Sequence, residues 1–263
     1  LTLGGLAPAA AQETAPRRLL AAHEQQAFSG VGRLEFADGY CTATLFAARL
    51  ALTAAHCLHR RDGALRPMAE LRFRAGFREG GEQAVRGVRR AATHPDWRWR
   101  GRVVGPETVA SDLALLELDA PLPTSAFPTY LPGDLPPPGS AVALLSYGRG
   151  RDRALSLQDP CRVLARRGGA LSLTCEAVPG TSGAPVLARD GESWRLVGVV
   201  SAAGASASHA AATAPALPAL EAALAALAPG RKADRPATVG GLAGRDGAWK
   251  ASRPPGMQGR RLP

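Results

Sequence analysis

The apolar residues of this chain come in short pieces. Residues 30–36, 42–46, 50–53, 70–77, 83–92 and 114–118 are short apolar or alternating runs with turn residues between them. A second set follows at 141–147, 155–164, 170–176, 184–188 and 193–201. Many short strands at this spacing predict a barrel or a sandwich. Between the sets stand Pro121, Pro123, Pro128, Pro132, Pro136, Pro137 and Pro138. Proline disrupts helices and central strands alike, so 120–139 reads as an irregular connection between two strand-rich halves. Residues 216–228 change character. They are rich in Ala and Leu, carry Glu221 and end before Pro229, which predicts a helix.

The chain has 263 residues, 46% of them hydrophobic, enough for a sizeable core in one large domain or two small ones. Its net charge is +10, carried almost wholly by arginine, since Lys232 and Lys250 are the only lysines. Residues 229–263 hold eight basic residues and only two acids, Asp234 and Asp246. That stretch reads as a solvated basic tail, with contact to polyanions as its functional alternative. Nothing in the sequence points to specific nucleic-acid recognition. The first residues are apolar, uncharged and end in small residues at Ala9-Ala10-Ala11, like the back half of a secretory leader cleaved after Ala11. Residues 12–27 then read as an N-terminal arm or propeptide. No run approaches the roughly 18 apolar residues that a membrane-spanning helix needs. Four cysteines (Cys41, Cys57, Cys161, Cys175) permit three disulfide pairings, and no Cys-x-x-Cys pair suggests a metal. Export to a secreted or periplasmic location, as a monomer without metal or organic cofactor, is the expectation.

Three segments carry chemistry. In Pro179-Gly180-Thr181-Ser182-Gly183-Ala184-Pro185, a tight turn points the Ser182 hydroxyl outward and leaves the N–H groups of Gly180 and Ser182 available to a developing oxyanion. A hydroxyl is a weak nucleophile and needs an adjacent base. His56, in Leu52-Thr53-Ala54-Ala55-His56-Cys57, suits that role better than His23, His59, His94 or His209, none of which has its context. Asp112 opens the apolar run 113–116, at the mouth of a buried strand where an aspartate needs a partner; it suits the task of orienting the imidazole.

In the order His, Asp, Ser, these segments resemble the chymotrypsin/trypsin-like serine peptidases, and within them the bacterial secreted, glutamyl-endopeptidase-like branch. The resemblance spans residues 28–227 and includes Val31-Gly32-Arg33-Leu34, Cys41-Thr42-Ala43-Thr44-Leu45-Phe46, His94-Pro95-Asp96-Trp97 and Leu196-Val197-Gly198-Val199-Val200-Ser201. It implies an all-β fold of two six-stranded antiparallel barrels, at 28–120 and 121–215, closed by a C-terminal α-helix. It implies catalysis by His56, Asp112 and Ser182, an oxyanion hole at Gly180 and Ser182, and support of Asp112 by Ser201. It also implies a Cys41–Cys57 bridge, with Cys161 and Cys175 as the second pair, and a protein or peptide substrate. Glu176 stands six residues before Ser182, where trypsin-like enzymes hold an acid that favours Arg or Lys at the cut bond. Ala177 and Val200 stand where glutamyl-specific relatives carry the Thr and His that bind a carboxylate. Ala202-Ala203 replace a common Trp-Gly in the cleft wall, so the specificity-pocket residues fit no single class. The alternative to a secreted endopeptidase is a catalytically silent protein on the same fold that binds polyanions.

Overall fold

The computed structural model describes residues 14–81, 84–101, 105–204 and 206–227. The leader read at 1–11 and the tail read at 229–263 lie outside them. Residues 14–27 are built into the fold: β1 (Arg18–Leu19) precedes the short α1 (Ala22–Gln26), and Leu20 between them is buried.

Each of the six early runs forms a strand: β2 (Val31–Phe36), β3 (Gly39–Ala47), β4 (Leu50–Thr53), β5 (Arg72–Ala75), β6 (Ala84–Thr93) and β7 (Ala114–Leu118). They close an antiparallel barrel in the order β2-β3-β4-β7-β6-β5. A short helix, α2 (Pro106–Ser111), precedes β7, with Pro at its start, where the missing N–H costs nothing. Residues 119–140 cross to the second half without helix or ladder strand. There β8 (Ala141–Ser146), β9 (Ser156–Arg167), β10 (Ala170–Leu173), β11 (Pro185–Asp190), β12 (Ser193–Ala203) and β13 (Ser208–Ala212) close a second barrel, and β1 is added along β9. The architecture is therefore two six-stranded antiparallel barrels with a terminal helix, as expected.

The strand β7 shows how the barrels meet. Ala114, Leu116 and Leu118 point into the first barrel with Leu34, Leu45 and Phe73. Leu115, on the opposite face, joins Leu113, Tyr147, Leu187 and Leu196 in a cluster between the barrels. Both faces are covered, so the strand reads as one apolar run. Its one charge, Glu117, is buried and is met by Arg89 and Arg90. A separate cluster of Val142, Leu144, Val163, Leu171, Val186 and Val197 fills the second barrel. Each fully buried leucine contributes about 2 kcal/mol to holding these layers together.

The last helix, α3 (Thr213–Ala226), starts three residues earlier than the sequence pattern suggests. Pro215 lies in its first turn, where no backbone donor is needed, and Pro218 lies just inside. Those prolines hid the start. Leu217 and Leu220 pack the helix onto the inter-barrel cluster. The disulfides are Cys41–Cys57 and Cys161–Cys175.

Candidate active site

His56 sits on a tight helical turn (Ala55–Leu58) directly after β4, and Cys57 ties that turn to β3 through Cys41. Asp112 lies between α2 and β7 and is fully buried. Three donors converge on its carboxylate. The His56 backbone N–H donates to Oδ1 at 2.8 Å, His56 Nδ1 approaches Oδ2 at 2.7 Å, and the Ser201 hydroxyl donates to Oδ2 at 2.5 Å. Burial by itself pushes the His56 imidazole down, but the Asp112 charge and hydrogen bond outweigh it, so its pKa ends above the ordinary histidine value. With Nδ1–H held by Asp112, the neutral ring keeps its lone pair on Nε2. The imidazole is 22% exposed while the carboxylate beneath it is dry.

Ser201 reaches Asp112 because β12 slips register there. Val200 pairs with Ala210 and Ala202 with His209, so Ser201 occupies a bulge that re-aims its side chain.

The Ser182 turn is held from several sides. The Thr42 N–H donates to Ser182 O at 2.8 Å, and the Thr42 hydroxyl donates to Gly180 O at 2.9 Å. Thr42 follows the bridged Cys41, so one strand end positions both the His56 turn and the Ser182 turn. The Gly183 N–H donates to Val200 O at 2.7 Å. Glycine is required at two places. Gly180 has φ +92°, and a Cβ there would lie 2.4 Å from Tyr40 and 2.5 Å from Tyr147 O. Gly183 has φ +81°, and a Cβ would lie 2.0 Å from Thr42 O. Among the described residues, neither Gly180 N–H nor Ser182 N–H has a protein acceptor, and the half-buried Ser182 hydroxyl is also unpaired. Contacts between a nucleophile and its base are often long in an unliganded site and tighten with substrate.

Three of the other histidines are engaged elsewhere. His59 stacks on Trp99 with its Nδ1 on Ala55 O, His94 faces its own loop at Asp96, and His209 bonds Ser172. Cys41, His56 and Cys57 bring three candidate ligand atoms together, but both sulfurs are committed to a disulfide and offer no thiolate.

The residues read as a specificity pocket differ in their exposure. The Glu176 side chain is 52% exposed and faces Arg17 at 3.6 Å, a placement unlike the base of a pocket. Ala177 is half-buried, Val200 is buried in the ladder between Ala184 and Gly183, and Ala202 is half-buried near the end of β12. Sequence reasoning missed Thr42, whose two hydrogen bonds fix the Ser182 turn. A threonine in a strand carries no local signal of such a task.

Two barrels with this cluster at their junction define the chymotrypsin-like class of fold. Residues 41–199 match the family model described as a trypsin-like peptidase domain, and the chain belongs to that family. It is a peptidase, and its substrates are proteins. Its structure is similar to that of a Glu endopeptidase solved in complex with MPD, with a TM-score of 0.65 at 16% identity over 80% of this chain and 96% of that one. Among the described residues, no helix is long and apolar enough to cross a membrane.

Proposed function

We propose that this peptidase is a serine endopeptidase in which His56, Asp112 and Ser182 form the catalytic triad. The observation that carries the reading is the fully buried Asp112 carboxylate, bonded at once to the backbone and the imidazole of His56. In this mechanism His56 Nε2 takes the Ser182 proton as Oγ attacks the peptide carbonyl. The imidazolium that forms is stabilised by the Asp112 carboxylate. The oxyanion is received by the Gly180 and Ser182 N–H groups. His56 then returns the proton to the leaving amine, and water, deprotonated by the same imidazole, releases the acyl group from Ser182. The two disulfides and the apolar first residues support work outside the reducing cytosol, in the periplasm or beyond the cell. The test is cleavage of a mixed peptide library by wild type and Ser182→Ala. Wild type should cut and the variant should not. Equal cleavage by both would overturn the triad assignment.

A further inference from the structure

Arg17 stands just before β1, is 8% exposed, and its Nε and Nη1 have no hydrogen-bond partner among the described residues. Its nearest acid, Glu176, is 3.6 Å from Nη2 and half in solvent. Burying a cation with unmet donors is costly, so such a residue calls for a compensating role. Arg66, equally buried and also with an unpartnered Nε, differs in that its guanidinium hydrogen-bonds Asp38 and lies over the Phe36 ring.

The place of the Arg17 guanidinium is informative. Nη1 lies 2.2 Å from the point that a Cβ on Gly148 would occupy, and Val178 Cγ2 and Thr181 Oγ1 lie 2.7 and 2.9 Å from the same point. Arg17, Val178 and Thr181 thus converge on the bare α-carbon of Gly148. Val178 and Thr181 are the two ends of the turn that presents Gly180: the Thr181 N–H donates to Val178 O at 2.9 Å, and the Val178 N–H donates to Thr181 Oγ1 at 3.3 Å. The neighbours of Gly148 hold that turn as well, since the Arg149 N–H donates to Pro179 O at 2.8 Å. The segment bearing Arg17 is anchored independently. The Ala15 N–H donates to Pro160 O, and Gln158 Nε2 donates to Ala15 O while its Oε1 accepts the Glu176 N–H.

We propose that Arg17 is a positioning residue for the oxyanion turn, an inference that rests on the serine-peptidase reading. Its guanidinium braces residues 178–182 from behind. Its charge, unmatched by any buried acid among the described residues, favours the negative charge that develops at the Gly180 and Ser182 N–H groups. Residues 14–20 are then part of the working site.

The experiment compares Arg17→Met, Arg17→Lys and Arg17→Ala with wild type, reading kcat and KM on a peptide ester and hydrogen exchange at the Thr181, Gly183 and Ala184 amides. We expect Arg17→Met to lose about 10- to 100-fold in kcat, short of the loss of a whole oxyanion donor, with KM nearly unchanged. Arg17→Lys should recover part of the rate, and added guanidinium ion should raise the rate of Arg17→Ala. The three amides should exchange faster in the Met and Ala variants. Unchanged exchange overturns the proposal even in an active peptidase. An intact kcat with KM raised only for acidic substrates also overturns it, by making Arg17 a substrate-binding group. A rate loss that neither lysine nor guanidinium restores reduces Arg17 to a general fold residue and overturns it too. Failure of the serine-peptidase reading shows separately, as equal turnover by wild type and Ser182→Ala, and exchange at the turn can be read regardless of turnover.

Discussion

Asp112→Asn separates the chemistry of the site from its stability. An amide offers one acceptor oxygen and one donor nitrogen where the carboxylate offers two acceptors. Three donors face Asp112: the His56 N–H at Oδ1, and the His56 imidazole and Ser201 hydroxyl at Oδ2. The backbone N–H cannot become an acceptor, so the amide oxygen must stay on its side. The NH2 group therefore turns toward the imidazole, where Ser201 can accept by rotating its hydroxyl and His56 can accept at Nδ1 by moving its proton to Nε2. Every polar group remains bonded, and the fold should lose little stability. Yet the tautomer is now wrong, because a protonated Nε2 cannot take the Ser182 proton. The expected loss is about 10⁴-fold in kcat, or about 5.4 kcal/mol of transition-state stabilisation. Stopped-flow ester hydrolysis gives the rate, and thermal unfolding reports the fold. A variant that stays folded and turns over within tenfold of wild type would refute the tautomer argument.

The pH profile should rise with pH, because the base must be neutral. Asp112 raises the His56 pKa, so the acid limb of kcat/KM should have its midpoint above the ordinary histidine value of about 6.5; a midpoint below that value would contradict the observed pairing. Gly180→Ala meets a left-handed φ and contacts of 2.4 Å to Tyr40 and 2.5 Å to Tyr147 O, so it should displace the oxyanion turn and lower kcat about 100-fold, measured on the same ester. Glu176→Gln should leave the ratio of kcat/KM for Arg or Lys substrates to that for other substrates unchanged within about threefold, because that carboxylate is half exposed and faces Arg17; a larger fall in that ratio would place Glu176 in the pocket after all.

How legible these features were in the sequence follows from their physics. The β7 run was plain because both faces of the strand are buried and every residue but Glu117 is apolar. By contrast, β13 (Ser-His-Ala-Ala-Ala) escaped notice, since alanine and serine carry little strand preference and its place between β10 and β12 is set by tertiary packing. The segments holding His56, Asp112 and Ser182 stood out because each combines a reactive side chain with a distinctive turn or run. What positions them was silent. Thr42 acts across 138 residues on Gly180, and Arg17 is brought to Gly148 by β1 joining the second barrel and by the anchoring of Ala15. Specificity was least legible, because pocket walls depend on where side chains point. Glu176 has the right offset from Ser182 but faces solvent and Arg17 instead of an enclosed cleft.

The most direct test of the central claim is covalent labelling by a fluorophosphonate, followed by mass mapping of the modified peptide. Wild type should take up one phosphonyl group on Ser182, faster as pH rises through the His56 midpoint, and Ser182→Ala should take up none. Labelling at another residue, or equal labelling of wild type and Ser182→Ala, would contradict the assignment of Ser182 as nucleophile.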